Sequence, residues 1–193
     1  MEKIVIEDLM GLGAYEKVRD KLRREIIEYK KNRRLAVGDR VSLVFEDKKT
    51  MLFQIQEMMR AERITDLDKI REEIEVYNEL IPDAGELRAT LLIEIVDQER
   101  IRADLLKFLG IDEAVYLEVG GKYTIPATFE PGRSKEDKIS AVQYLRFPMS
   151  PQAREAFLRG AGPVSVRIDH PNYHAQAEIT PAMRDSLAQD LKG

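Results

Sequence analysis

The 193-residue sequence contains no cysteine and no tryptophan, and it has only two histidines. Without cysteine the chain offers no disulfide, no thiolate metal site and no iron–sulfur ligand of its own. No stretch approaches the roughly 18 apolar residues that a membrane-spanning helix needs, and the first residues lack the basic and apolar segments of a signal peptide. We therefore expect a cytoplasmic protein that does not enter a membrane.

The charge balance gives little reason to expect nucleic-acid binding. The formal net charge is −4, from 31 basic and 35 acidic residues. Basic residues predominate in 17–34, and acidic residues predominate in 62–86. A solvated helix face explains the basic segment, and an arm for RNA or for an acidic partner is the alternative. Because no aromatic residues alternate with the basic ones to stack on bases, we expect no nucleic-acid partner.

Apolar periodicity predicts that the first part of the chain is mainly helical. One helix is expected over 6–33, a strand over 40–46 and a second helix over 49–64 capped by Asp47. A capping-box pattern predicts a third helix that begins near residue 65 and ends near 81. The residues expected on its buried stripe are Leu67, Ile70, Ile74 and Tyr77.

After residue 86 the pattern changes to that of strands. The apolar run ATLLIEIV (89–96) predicts a buried central strand, followed by a short helix over 98–109. A Gly-Gly pair at 120–121 is typical of a hairpin turn, and 138–147 reads as a further strand. The sequence thus predicts a single α+β domain over 1–193, helix-rich in 1–82 and with a mainly antiparallel sheet in 87–193.

Four segments also carry a family resemblance. These are GDRVSLVFEDKKTMLFQIQEMMRAERI, YNELIPDAGELRATLLIEI, FEPGR and KISAVQYLRF. They resemble a bacterial family of about this length, known as a domain of unknown function, over residues 5–190. Members are often encoded beside a rubrerythrin and an iron–sulfur oxidoreductase. The resemblance implies a role in peroxide or oxygen defence, with a redox protein as a possible partner, and it implies no activity and no catalytic residues.

No pattern points to a bound metal, an organic cofactor or a nucleophile. His170 and His174 are the weak metal candidates, with Asp169 beside them, but Pro171 breaks the helix that would align them, and a surface turn is the favoured interpretation. No histidine lies on a predicted helix, which excludes the helix-borne di-iron site of rubrerythrins. There is neither a nucleophile elbow nor a glycine-rich phosphate loop. We expect no cofactor.

Polar side chains in apolar surroundings are the remaining candidates for a site. Glu94 lies inside the predicted central strand, and if both faces of that strand are covered we expect it to be buried and paired with an arginine such as Arg146. Such residues form an internal ion-pair network or a solvated sheet face, or else a pocket in which arginines hold an anionic ligand. The candidate ligand-binding residues are Gln54, Glu57, Arg60, Tyr77, Asn78, Glu94, Arg133 and Arg146.

Two classes of function follow from these residues. The first is a non-catalytic accessory protein that binds a redox partner or a small anionic ligand. The second is a small-molecule enzyme in which Glu57 or Glu94 acts as general base and Arg146 holds an anionic substrate. A concave site where these side chains converge would favour the enzyme, and a flat charged or apolar surface would favour the adaptor.

Overall fold

The computed structural model describes residues 1–95, 98–131, 134–135 and 138–192. Its helices are α1 (Leu12–Lys30), α2 (Lys48–Glu62), α3 (Leu67–Asn78), α4 (Ile101–Leu106), α5 (Pro151–Leu158) and α6 (Pro181–Lys192). Its strands are β1 (Arg34–Val37), β2 (Val41–Glu46), β3 (Glu86–Ile93), β4 (Val115–Val119), β5 (Tyr123–Pro126), β6 (Thr128–Phe129), β7 (Ser134–Lys135), β8 (Lys138–Ile139), β9 (Val142–Pro148), β10 (Val164–His170) and β11 (Tyr173–Glu178). Within these ranges, no helix is long and apolar enough to cross a membrane.

The strands form two main sheets in which every pairing is antiparallel. The larger sheet has the order β1-β2-β3-β9-β6, the smaller has the order β11-β10-β4-β5, and β7 and β8 form a two-stranded ribbon. The predicted α+β class with a mainly antiparallel sheet is confirmed. The single-domain assignment stays a prediction.

One apolar core joins both sheets to α5 and α6. Each strand of the larger sheet turns alternate side chains toward this core, as the twofold repeat of a strand requires. Core residues from the two sheets include Leu43, Phe45, Leu91, Leu145, Leu117 and Val166. A second apolar cluster joins the N-terminal segment to α2 and α3, through Ile4, Met51, Ile55, Ile70 and Ile74. The opposite, outer face of the larger sheet carries most of its polar residues, together with Val44, Leu92 and Val142.

The segment before β2 differs from its prediction. The first helix begins at Leu12, because Gly11 has extended backbone and residues Ile6–Asp8 form a separate 3-10 turn. Strand β1 was not predicted, and it pairs with β2 through a turn at Gly38, where φ is +78°. Only glycine adopts this conformation without strain.

Asp47 caps α2 as predicted, and its carboxylate accepts a hydrogen bond of 2.8 Å from the backbone N–H of Thr50. The third helix is capped by Asp66 rather than by residue 65. The prediction that Leu67 is buried is wrong, because its side chain is 57% exposed. Leu67 is the first helical residue, and helical side chains point toward the N-terminus, so this one extends beyond the packed face of α3.

Local signals in the second half are largely confirmed. Gly120 and Gly121 both have positive φ in the turn between β4 and β5, and β10 pairs with β11 as expected. Ser150 caps α5, with Pro151 at its first position. The helix expected over 98–109 is shorter, with the regular α-helix limited to Ile101–Leu106.

Candidate functional site

The register of the larger sheet aligns polar side chains in rows across its outer face. Glu46 on β2 is opposite Arg88 on β3, which is opposite Arg146 on β9, and Arg146 is in turn opposite Thr128 on β6. The next row contains Arg34, Val44, Thr90 and Tyr144. Because residues directly opposite each other point to the same face, each row places its side chains side by side on the outer face, and Val44 is the one apolar member of these two rows.

Two clefts lie on this face and share Glu46, Thr90 and Tyr144. The first cleft, of about 310 Å³, extends over β9 and β6 and is also lined by Glu79, Arg88, Thr128, Glu130 and Arg146. The second, of about 530 Å³, lies between the sheet, α1 and α2, and is also lined by Lys30, Lys31, Arg34 and Gln54. We call the two adjoining clefts the outer groove. Its size is in the range of small-molecule sites.

Glu46 lies at the centre of the outer groove, where β2 ends and the cap of α2 begins. The residue is only 3% exposed. Its Oε1 accepts a hydrogen bond of 2.7 Å from the Thr90 hydroxyl. Its Oε2 is buried, and no described residue donates a hydrogen bond to it. A buried carboxylate oxygen without a donor costs free energy that a polar partner would recover.

The second cleft has an excess of positive charge. Lys30 ends α1 and is half-buried, and its ammonium group forms no ion pair with any residue of the described ranges. Arg34 donates hydrogen bonds of 3.1 Å to the Ser42 hydroxyl and 2.8 Å to the Glu94 carboxylate. Gln54 is half-buried, and its amide has no hydrogen-bond partner in the described part of the chain. These cationic and amide groups can therefore donate hydrogen bonds to a bound anion.

The two arginines of the first cleft differ in how many of their guanidinium N–H groups bind other residues of the protein. Arg88 donates to Glu86 at 2.6 Å, to Asp83 at 3.2 Å and to the backbone carbonyl of Glu79. Arg146 is 49% exposed, and its ion-pair partner is Glu86 at 3.6 Å. Arg88 is thus held by the protein, whereas Arg146 retains donors for a ligand.

Glu94 is not buried, and the predicted pair with Arg146 is wrong. Strand β3 ends at Ile93, and the Glu94 side chain is 50% exposed. Its carboxylate accepts hydrogen bonds of 2.8 Å from both the Ser42 hydroxyl and Arg34, and these two contacts hold the pKa of Glu94 below its usual value. Glu94 continues the alternation and lies on the outer face with Ser42 and Arg34, and it is exposed because this part of the outer face is open to solvent.

Glu57 and Arg60 are on the side of α2 that faces α1. Arg19 forms a two-pronged hydrogen bond to the Glu57 carboxylate, with both distances 2.8 Å, and the Tyr15 hydroxyl donates at 2.7 Å. The Arg19 hydrogen bonds are the main reason that the pKa of Glu57 is lowered to about 2. Arg60 pairs with Glu16 at 2.6 Å. These ion pairs join α1 to α2.

Tyr77 and Asn78 hold the N-terminal segment and the end of α3. The Asn78 amide accepts from the Ile4 N–H at 2.8 Å and donates to the Ile4 carbonyl at 2.9 Å. Tyr77 packs against the second apolar cluster, and its burial raises the pKa of its hydroxyl. Arg133 lies outside the described residues.

Of the predicted ligand-binding residues, the structure brings Gln54 and Arg146 to the outer groove. Their role in binding stays a prediction, as does that of the others. Sequence reasoning did not select Glu46, Lys30, Arg34, Thr90 or Tyr144. One signal in the sequence could have revealed Glu46. It continues the alternation of Ser42 and Val44 along β2, which predicts that all three side chains lie on the same face of the sheet.

The two histidines are engaged in the turn between β10 and β11. His170 is buried, with Nε2 2.7 Å from the Leu109 carbonyl oxygen, while Nδ1 accepts from the Asn172 N–H at 3.2 Å. This pattern requires the proton on Nε2, so both ring nitrogens are used. His174 is exposed and 2.9 Å from Asp169. Among the described residues, no group of three or more potential ligands is placed to hold a metal ion.

The fold and the groove together define an α+β protein with a ligand-sized groove, lined by charged, polar and apolar side chains, on the outer face of its larger sheet. Residues 3–191 match the family model described as protein of unknown function (DUF3501), and the chain belongs to that family. It is also similar to a crystal structure of a novel protein of unknown function from Burkholderia pseudomallei, with 35% identity and a TM-score of 0.92. The match covers 98% of this chain and 100% of that one. No curated protein matches the chain.

Proposed function

We propose that the protein binds a small anionic ligand in the outer groove. The observation that carries this proposal is Lys30, a half-buried lysine whose ammonium group has no ion-pair partner among the described residues, on the wall of a cleft of about 530 Å³. A cation without a counter-ion in a concave site attracts an anion more strongly than the same cation in open solvent.

The surrounding charges support the same interpretation. Lys31 and Arg34 also line the cleft, although Lys31 pairs with Glu28 at 2.7 Å and Arg34 with Glu94 at 2.8 Å, and Glu46 is the one carboxylate that lines the cleft among the described residues. A concave surface with an excess of one charge concentrates ions of the opposite charge. Gln54 adds amide donors on the facing helix, and a guanidinium such as that of Arg34 matches the geometry of a carboxylate or phosphate.

The enzyme alternative has less support in the proposed bases. The lowered pKa of Glu57 and Glu94 makes each carboxylate a weak proton acceptor. Both side chains are also held by arginines, which fix them in structural ion pairs. A general base works best when its pKa is near the working pH. Binding without catalysis therefore accounts better for these two residues.

The proposal retains two features expected from the sequence. One is a cytoplasmic location. The other is an accessory role beside a rubrerythrin-type peroxide defence, which is proposed from the family resemblance alone. Co-purification of the tagged protein with a rubrerythrin encoded beside it tests the second feature, and reproducible failure of the two to associate counts against a direct complex.

Isothermal titration with glutarate and with inorganic phosphate tests the binding proposal. We expect saturable binding of at least one of these anions, weakened roughly tenfold or more by Lys30→Ala or Arg34→Ala, since each removes a charge-assisted contact. Lys17→Ala is the matched control, because Lys17 is an exposed lysine on the same helix. Binding that is absent, or equally weakened by the control, would contradict the proposal.

A further inference from the structure

We infer that the ligand of the outer groove also carries a protonated amine, which donates to Glu46. This inference rests on the proposed function and specifies its ligand: a small molecule with an anionic group at one end and an amine at the other. It is carried by the Oε2 atom of Glu46, which is buried in the groove lining without a donor from any described residue.

The protein's own cations near Glu46 are directed elsewhere. Arg88 is the direct cross-strand neighbour of Glu46, yet its donors go to Glu86, Asp83 and the carbonyl of Glu79. Arg33 contacts the backbone carbonyl of Glu46 at 3.3 Å and not its carboxylate. The side chain receives one neutral hydrogen bond, from Thr90. Within the described residues, the Oε2 atom of Glu46 therefore has no donor, and it is available to a group that the ligand supplies.

The sheet register sets the length of such a ligand. Arg34 is opposite Val44 on the neighbouring strand, and Val44 is two residues before Glu46. With strands about 4.8 Å apart and about 3.4 Å per residue, the Cα atoms of Arg34 and Glu46 are roughly 8 Å apart. The Arg34 guanidinium is turned toward Ser42 and Glu94, on the side of Val44 away from Glu46, so a ligand that contacts both charged groups must span at least this Cα separation.

Contact with Oε2 requires a small change in the Glu46 side chain, because this atom has almost no exposed surface. The carboxylate can turn about its terminal bond, and the contact it gives up is the hydrogen bond from Thr90. An amine that binds the turned carboxylate forms a charge-assisted hydrogen bond, which is stronger than the neutral bond it replaces.

Matched pairs of probes separate the amine from the anion. Glutarate and L-glutamate differ by one amine, and so do succinate and L-aspartate. We expect the wild-type protein to bind the amine-bearing member of at least one pair roughly tenfold more tightly. In Glu46→Gln this preference should fall to within about twofold, while the affinity for the amine-free member is retained. Thermal melts of the variant confirm that it folds, and Glu178→Gln, an exposed glutamate on β11, is the control.

The outcomes distinguish this inference from the proposed function. If neither inorganic phosphate nor any member of either pair binds, the proposed function is wrong. If phosphate binds and no member of either pair does, the groove binds anions and the inference about an amine-bearing ligand is wrong. If glutarate or succinate binds but the amine gives no preference, the groove binds anions and the inference about Glu46 is wrong. A preference that persists in Glu46→Gln also overturns the inference, because the amine would then be recognised by another group.

Discussion

Arg33 and Asp190, 157 positions apart in the sequence, form an ion pair in which neither side chain is accessible to solvent. The same guanidinium is 3.2 Å from the Asp47 carboxylate and donates at 2.8 Å to the Phe45 carbonyl. It therefore joins the C-terminal helix α6 to the end of β2 and the cap of α2. This network lies directly beside Glu46 and fixes the strand end that forms the centre of the outer groove.

Removing Asp190 should strongly destabilise the protein. In Asp190→Ala the buried Arg33 loses its closest counter-ion, and we expect the free energy of unfolding to fall by about 3 to 5 kcal/mol. Asp185→Ala, an exposed position on the same helix, should change it by about 0.5 kcal/mol or less. Urea denaturation measures both, and a small loss in Asp190→Ala would show that Asp47 alone neutralises Arg33.

The Glu57 ion pair should make stability depend on acidic pH. The pKa of Glu57 is lowered from 4.5 to about 2, chiefly by Arg19, so the folded state holds the charged form. The contribution of the charged Glu57 carboxylate to the free energy of unfolding is complete above pH 4.5 and is lost as the pH falls toward 2. At neutral pH we expect Glu57→Gln to lose about 1 to 2 kcal/mol.

Denaturant melts from pH 7 down to pH 2 test this dependence. The difference between wild type and Glu57→Gln should shrink steadily below pH 4.5. The exposed Glu178→Gln should follow the wild type throughout. A constant difference across the pH range would mean that the Glu57 carboxylate does not titrate with folding.

Two glycines should respond in opposite directions to substitution by alanine. At Gly38, φ is +78° and an added Cβ would lie 2.3 Å from the Tyr173 hydroxyl, which itself donates to the Val37 carbonyl. Gly38→Ala should therefore cost about 2 kcal/mol or more. Gly13 lies in α1 with open space around it, so Gly13→Ala should stabilise by about 0.5 to 1 kcal/mol. Thermal melts that show the same sign for both would contradict these backbone assignments.

A double-mutant cycle can test the position of Glu94. Glu94 and Arg34 are both about half exposed, so their coupling energy should be small, about 0.5 kcal/mol. Glu94 and Arg146 should show no coupling, because Arg146 pairs with Glu86. A coupling of several kcal/mol between Glu94 and Arg146 would restore the buried pair expected from the strand pattern.

The elements that the sequence predicts correctly are those whose defining residues lie close together in the sequence. The Asp47 cap, the Gly120-Gly121 turn and the β10–β11 hairpin each depend on residues within a few positions of one another. The four-residue strand β1 has too few residues to show a period, so the sequence predicts no element between the helix that ends at residue 33 and the turn at Gly38. The apolar run that contains Glu94 does not show whether the second face of its strand is covered, and the structure leaves that face open to solvent beside Arg34.

The candidate site was predicted only in part. Gln54 and Arg146 were selected as polar residues in apolar segments, and both line the outer groove. Lys30 belongs to the basic segment that favoured a solvated helix face, and its half-burial follows from its position in the cleft between the end of α1 and the sheet. The pairing of Arg33 with Asp190 and the row that joins Glu46 to Arg146 are set by strand order across the fold. No local spacing encodes either relationship.

The central claim is that the outer groove binds a small anion. A titration of the isotope-labelled protein with glutarate, followed by amide chemical shifts, tests it most directly. We predict saturable shifts concentrated at residues 30–34, 44–46 and 54, with small changes on the distant strand β11. Shifts that do not saturate, or that concentrate away from Lys30, Arg34 and Glu46, would contradict the account.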